Sequence, residues 1–337
     1  MDSLCVPVKS WMPIRTPVYG YQERFPAYAE ARDKFISQLP LAIQAGYQNI
    51  GSVTAALGEP ASDIVEDLAS RNIIVSAGFV EYIEVNASVT IDVAELVRIN
   101  EGKQFDEPML IGIAAYEMSS ALETILILSE LAFPGAIDTT DGLTVVDAGR
   151  QPFKSKGAYW AMLFPEDSDP LWPPLRQLEL GKIVEWAKKT SFFSSGLAST
   201  RVERALAAYT HVIGLTWHRD GEVLFRAMQG LEAFYCDGIG DLRKQLSDKA
   251  AMWLGKWADK KNVVGHLYDL RSEFVHGSAR LEYWVSHADA WEEDEKHMHR
   301  FSHGVMFAIR LLLATLQRCI VEDVTHVQWA YSVETRG

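Results

Sequence analysis

The sequence predicts an α+β protein in two parts, a mixed α/β N-terminal domain over residues 1–190 followed by an all-α helical bundle over 191–337. Three observations carry this expectation. Helix-period segments and β-branched runs mix in the first half, whereas beyond about residue 195 apolar residues recur at three- and four-residue spacing. Between the halves, residues 167–174 (DSDPLWPP) bring three prolines and acidic turn residues together, the best boundary in the chain. The 337 residues, 48% of them apolar, have the length of two domains and enough apolar surface to offset ordering entropy. Disorder as the main state is excluded.

Element by element, residues 27–46 read as a helix ending at a glycine, and 60–71 as a second with Ser62 and Asp63 in its first turn. Residues 72–85 turn to β-branched runs, with alternation near the end. A long apolar helix follows over 112–133, stopped by Pro134-Gly135, and then a short strand over 143–147. In the second half, helices are expected over 200–219, 222–235, 241–257 and 260–276. Gly221, Gly238, Gly240 and Gly277 fall between or after them, where helix ends need φ > 0. A last helix spans 288–322, polar in front and apolar behind. Five consecutive helices with short connections make a bundle.

Three cysteines, none in a CxxC pair, provide no disulfide framework and fit a reducing compartment. No secretory signal opens the chain, and the apolar stretch 111–133 carries Glu117, Glu123 and Glu130, each costly at mid-bilayer depth. The segment 304–316 is short for a span and contains Arg310. A cytoplasmic protein without a membrane partner is expected. The net charge of −13 argues against a polyanionic partner, but most of that excess lies in residues 1–140. Residues 201–280 carry slightly more basic than acidic side chains, so a polyanion would meet the C-terminal half.

The sharpest local feature is YDLRSEFVHG, residues 268–277. Val263, Leu267, Leu270 and Phe274 form a buried stripe, while Arg271 and His276 stand five residues apart, about 140° around the axis. Bringing both onto one atom takes the reach of the arginine or a second copy of the helix across a two-fold axis. His276 sits where the negative end of the helix dipole favours a cation. An imidazole beside a guanidinium that can fork onto a phosphate suits metal-free acid–base cleavage of RNA. The alternative is structural: Arg271 tied to Glu273 or Asp269, and His276 capping the last carbonyls.

This block resembles the "Y-x-x-R-S-x-x-V-H-G" motif of the Apea-like branch of the HEPN superfamily (higher eukaryotes and prokaryotes nucleotide-binding). Upstream, AMQGLEAF (227–234) is similar to the branch's "A-L-E-A-L" helix, and a helix ending AAMWL (250–254) lies between, as the branch also has. The resemblance covers roughly residues 195–320. It implies an R-x4-6-H motif at Arg271 and His276 with the polar Ser272 after the arginine, a homodimer whose two motif copies meet, and RNA as substrate cut without cofactor or metal. His276 would be general acid or base and Arg271 the phosphate contact, with Ser272 positioning and Tyr268, Asp269 and Glu273 auxiliary. It further implies antiphage defence or a toxin–antitoxin-like system with an antitoxin or regulator. HEPN domains also serve as non-catalytic nucleotide-binding or protein-interaction modules.

Other residues have quieter expectations. Glu232 reads as a core partner, for instance of Arg271. Gly230 inside a helix costs about 1 kcal/mol against alanine unless it lets helices approach closely. His299 and His303 have metal-chelating spacing, with His297 nearby, but follow EEDE and read as a solvated face. The pairs Trp253/Trp257 and Tyr283/Trp284 read as core or interface, with base stacking the alternative.

Overall fold

A computed structural model describes residues 3–15, 25–71, 80–147, 149–154, 172–214, 220–256, 263–279 and 295–330. The chain divides into two compact units: 1–164 with 176–185, and 165–175 with 186–337. Packing therefore draws the division differently from a single cut at 190. The expected boundary segment 167–174 falls in the second unit, and only 172–174 of it is described. The architecture is α+β.

In the first unit, β1 (Ser3–Arg15), β2 (Ile50–Gly58), β3 (Val80–Asp92), β4 (Gly142–Val146) and β5 (Gly149–Phe153) form one antiparallel sheet in the order β2-β3-β1-β4-β5. Strand alternation puts Val6, Val8, Ser10, Met12 and Ile14 of β1 on the same face as Ile83, Val85, Ala87, Val89 and Ile91 of β3. Two helices cover that face, α1 (Phe25–Gly46) and α4 (Glu107–Ala132). Their contact with the sheet includes a buried hydroxyl chain, Ser119 and Ser10 each lying 2.9 Å from Thr144 Oγ1. On the opposite face, α2 (Ser62–Arg71) lays Leu68 against Trp11 and Leu143. Beyond β3, α3 (Val93–Ile99) starts at Asp92, whose side chain accepts from Glu95 N.

β1 was not expected, and it carries Pro7 and Pro13, residues unusual in a central strand. Both lie outside Lys9–Trp11, the stretch flanked by β3 on one side and β4 on the other. Of the strand expected over 72–85, residues 80–85 open β3, which runs on to Asp92, and 72–79 lie outside the described residues. The α4–β4 connection is buried throughout residues 132–140. There Glu130 accepts from Gly135 N at 2.7 Å, and Arg15 pairs with Asp138 at 2.6 Å. Burial pushes Glu130 well above the carboxylate range, and pushes Asp138 up to about 6 against the pull of Arg15.

The second unit contains α6 (Arg201–Ile213), α7 (Asp220–Tyr235), α8 (Leu242–Leu254), α9 (Val263–Val275) and α10 (Glu295–Val321), preceded by α5 (Leu180–Lys188), which carries the division at Glu185/Trp186. α7 packs on α6, α8, α9 and α10. A capping box starts α6: Thr200 Oγ1 accepts from Glu203 N, and the Glu203 carboxylate accepts from Ser191 N, Ser199 N and Thr200 N. Although burial acts upward on Glu203, these hydrogen bonds outweigh it and hold the carboxyl far below its usual range. The C-terminal segment closes the unit, with Trp186 Nε1 donating to Val324 O and Trp329 Nε1 to Phe234 O. Residues 215–219, 257–262 and 280–294, into which four expected helices ran, lie outside the described residues.

Gly230 faces α6 and α10 directly. A methyl there would lie 2.9 Å from Ala208 Cβ and 3.1 Å from Leu312 Cδ1. Two helices, Glu107–Ala132 and the stretch Arg300–Val321 of α10, are long and apolar enough to cross a membrane by length and composition. More than half of each such window is buried inside the protein. The short apolar segment expected over 304–316 is part of that longer helix.

Two measurements test this packing. Gly230→Ala adds helix propensity worth about 1 kcal/mol, yet forces a contact that Ala208, without rotamers, cannot relieve. We expect a net loss of about 1–2 kcal/mol in chemical unfolding of the helical unit. For Glu130 the raised native pKa makes protonation favour the folded state. Stability is then fullest below the unfolded pKa and falls as pH rises toward the native one. Glu130→Gln keeps the acceptor for Gly135 N, so at pH 8 it should exceed wild type by about 1 kcal/mol or more. The gap should shrink at pH 5.

Candidate functional site

The face of α7 opposite Gly230 builds the site. At 100° per residue, Gly221, Phe225, Glu232 and Cys236 fall within about 60° of one another, and all four meet α9. The absence of a side chain at Gly221 admits Phe274, whose ring would lie 2.0 Å from an added methyl. Phe225 lies under the Arg271 guanidinium, 6.0 Å from Cζ to the ring centre. Glu232 Oε2 stands 3.6 Å from Arg271 Nη2, with the two side chains 20% and 33% exposed. Leu267 and Leu270 of the expected stripe are buried, and Leu270 packs against Gly304 of α10. These contacts fix the rotation of α9.

One more side chain completes the cluster. The Tyr268 hydroxyl lies close enough to Glu232 and Cys236 for both to act on its proton, yet outside hydrogen-bonding geometry with either. Burial, and then the Glu232 charge, raise its pKa far above the ordinary phenol range, so it is a protonated donor. Cys236, its thiol raised by burial, donates to Leu242 O at 3.4 Å. Three buried polar atoms in this cluster lack hydrogen-bond partners: Arg271 Nε, Glu232 Oε1 and Tyr268 Oη.

His276 is elsewhere on the helix end. It is exposed, one residue past Val275, with its N–H still bonded to Ser272 O at 2.9 Å. Gly277, at φ +71°, turns the chain, and Ser278 N and Ala279 N return to Glu273 O. Ser272, one turn before His276, is also exposed. Arg271 thus turns toward α7 while Ser272 and His276 face outward. The carboxylates weighed as alternative partners of Arg271 have other cations: Asp269 pairs with Arg243 of α8 at 3.5 Å, and Glu273 with Arg300 of α10 at 2.7 Å.

Sequence reasoning paired Glu232 with Arg271 but missed Phe225, Cys236, Arg243 and Arg300. The seven-residue step from Phe225 to Glu232, two helical turns, was a usable signal once Glu232 was paired with Arg271 of α9. Cross-helix partners such as Arg243 and Arg300 leave no signature in linear spacing. Trp253 joins Phe234, Tyr235 and Trp329 in an aromatic cluster with centroids 4.8–6.2 Å apart, and the Arg318 guanidinium lies 4.8 Å over its ring. Trp257, Tyr283 and Trp284, and the side chains of His297 and His299, lie outside the described residues. Among the described residues no group of three His, Cys, Asp or Glu could hold a metal ion. Comparison with protein-family models, curated proteins and solved structures finds no match to this chain.

The Glu232–Arg271 contact is long and partly solvated, so its coupling is small. A double-mutant cycle with Glu232→Gln and Arg271→Gln in chemical unfolding should return below about 1 kcal/mol.

Proposed function

We propose that the helical unit is a metal-independent endoribonuclease of HEPN type that acts as a homodimer. The observation that carries this reading is that one helix end bears both an exposed imidazole at His276 and a guanidinium at Arg271 that keeps a third of its surface open. These are a proton carrier and a phosphate ligand, and they belong to the motif whose resemblance suggests RNA cleavage. Arg271 and His276 leave α9 about 140° apart. A second α9 across a two-fold axis would set the histidine of one copy against the arginine of the other.

In that arrangement the ribose 2′-hydroxyl attacks the adjacent phosphorus. His276 takes or returns the proton, and Arg271 neutralises charge on the phosphoryl oxygens. The P–O5′ bond breaks, leaving a 2′,3′-cyclic phosphate and a 5′-hydroxyl. Ser272, exposed one turn before His276, would position the backbone. The same resemblance suggests a cytoplasmic role in antiphage defence or a toxin–antitoxin-like system, the acidic first unit serving to sense or restrain.

One observation favours a second reading, a non-catalytic dimeric module that binds nucleotides or protein. Arg271 already has Glu232 and Phe225 as partners. Incubation with single-stranded RNA in excess EDTA separates the two. Wild type should cut, and Arg271→Ala and His276→Ala should each lose at least about 100-fold in rate. No cutting by wild type, or equal cutting by all three, leaves the second reading.

A further inference from the structure

Glu232 has two possible donors and uses one. Its Oε2 faces Arg271 at 3.6 Å, while Oε1 is buried without a partner, next to a Tyr268 hydroxyl that is itself buried without a partner. When Arg271 leaves, Glu232 keeps its charge while its buried Oε1 still has no donor. Here a protonated hydroxyl stands ready within the same cluster. We infer that Tyr268 is a positioning residue: by donating to Glu232 when Arg271 moves to an RNA phosphate, it lets the guanidinium change partners without stranding the carboxylate. The exchange trades a long ion pair for a charge-assisted hydrogen bond, and no proton leaves the cluster.

Several details agree. Tyr268 and Arg271 are three apart on α9, so both reach the Glu232 side of α7. The Arg271 Nε is a buried, unpaired donor, so the present contact does not use the full guanidinium fork. Phe225 offers a flat face over which the guanidinium can slide while keeping its cation–π contact. The thiol of Cys236, already donating to Leu242 O, leaves the tyrosine hydroxyl as the donor in reserve.

This inference rests on RNA being the ligand, as proposed above, but not on cleavage. The probe is a 2′-O-methyl oligoribonucleotide, which can bind and cannot be cut, measured with the full-length protein beside cutting of unmodified RNA. Tyr268→Phe should weaken binding about tenfold, the worth of one hydrogen bond to a charged group. Glu232→Gln should bind at least as well as wild type, since a neutral amide does not hold Arg271. The double variant Tyr268→Phe/Glu232→Gln should return to within about twofold of Glu232→Gln, a rescue that loss of packing at Tyr268 would not give. Binding by Tyr268→Phe equal to wild type, or a double variant as weak as Tyr268→Phe, overturns the exchange. Tight binding with no cutting of unmodified RNA sinks the nuclease reading alone. Absence of binding by wild type sinks both.

Discussion

The close approach of α7 to α6 and α10 at Gly230 sets the geometry of the helical unit. Where a residue has no Cβ, two neighbouring helices come within contact of the α7 backbone, and α7 can then present only one rotation to the rest of the unit. The residues about 120–180° away, Gly221, Phe225, Glu232 and Cys236, face α9 for that reason. A second glycine contact, Gly304 against Leu270, holds α9 from its other neighbour. The position of Arg271 is therefore a by-product of backbone packing two layers away. The site inherits its precision from glycines that do no chemistry.

Both units bury polar side-chain atoms without a hydrogen-bond partner, among them Trp11 Nε1 and Thr140 Oγ1 in the first. In the first, Arg15 and Asp138 pair in the buried α4–β4 connection, while Glu130 is satisfied by a backbone amide. In the second, the buried atoms of Tyr268, Glu232 and Arg271 are left partly unsatisfied. A folding constraint alone would tend to complete such hydrogen bonds. The three in the second unit lie where α7 meets α9, the helix followed by the exposed His276.

How much was legible follows from where each signal resides. Apolar spacing of three and four marked every described helix of the second unit, because that pattern is local and strong. No strand was read over 3–15, although the alternation of Val6, Val8, Ser10, Met12 and Ile14 is present between its prolines and lysine. β2, with its alanines and glycines, offered little β-propensity, and its place depends on β3 beside it. At the site, Arg271, His276 and Glu232 could be read from a motif and a helix face. Phe225 and Cys236 needed the α7–α9 register, which is a tertiary fact. Gly230 could be read either as a cost or as a point of close approach, and only the atoms around it decide.

The order in which the chain visits its two units has a practical outcome for anyone wishing to handle them separately. Residues 165–175 belong with the helices but are followed by 176–185, which return to the sheet-bearing unit. No single cleavage point yields both halves intact. A fragment starting at 191 would lack Trp186, whose indole holds Val324, and Lys189, whose ammonium lies 2.6 Å from Asp323. It would also lack Pro173, whose carbonyl receives the buried Arg310 at 2.8 Å. On the ribosome, the sheet-bearing unit must wait for a ten-residue return stretch before it is whole, and by then the first strip of its neighbour has already emerged.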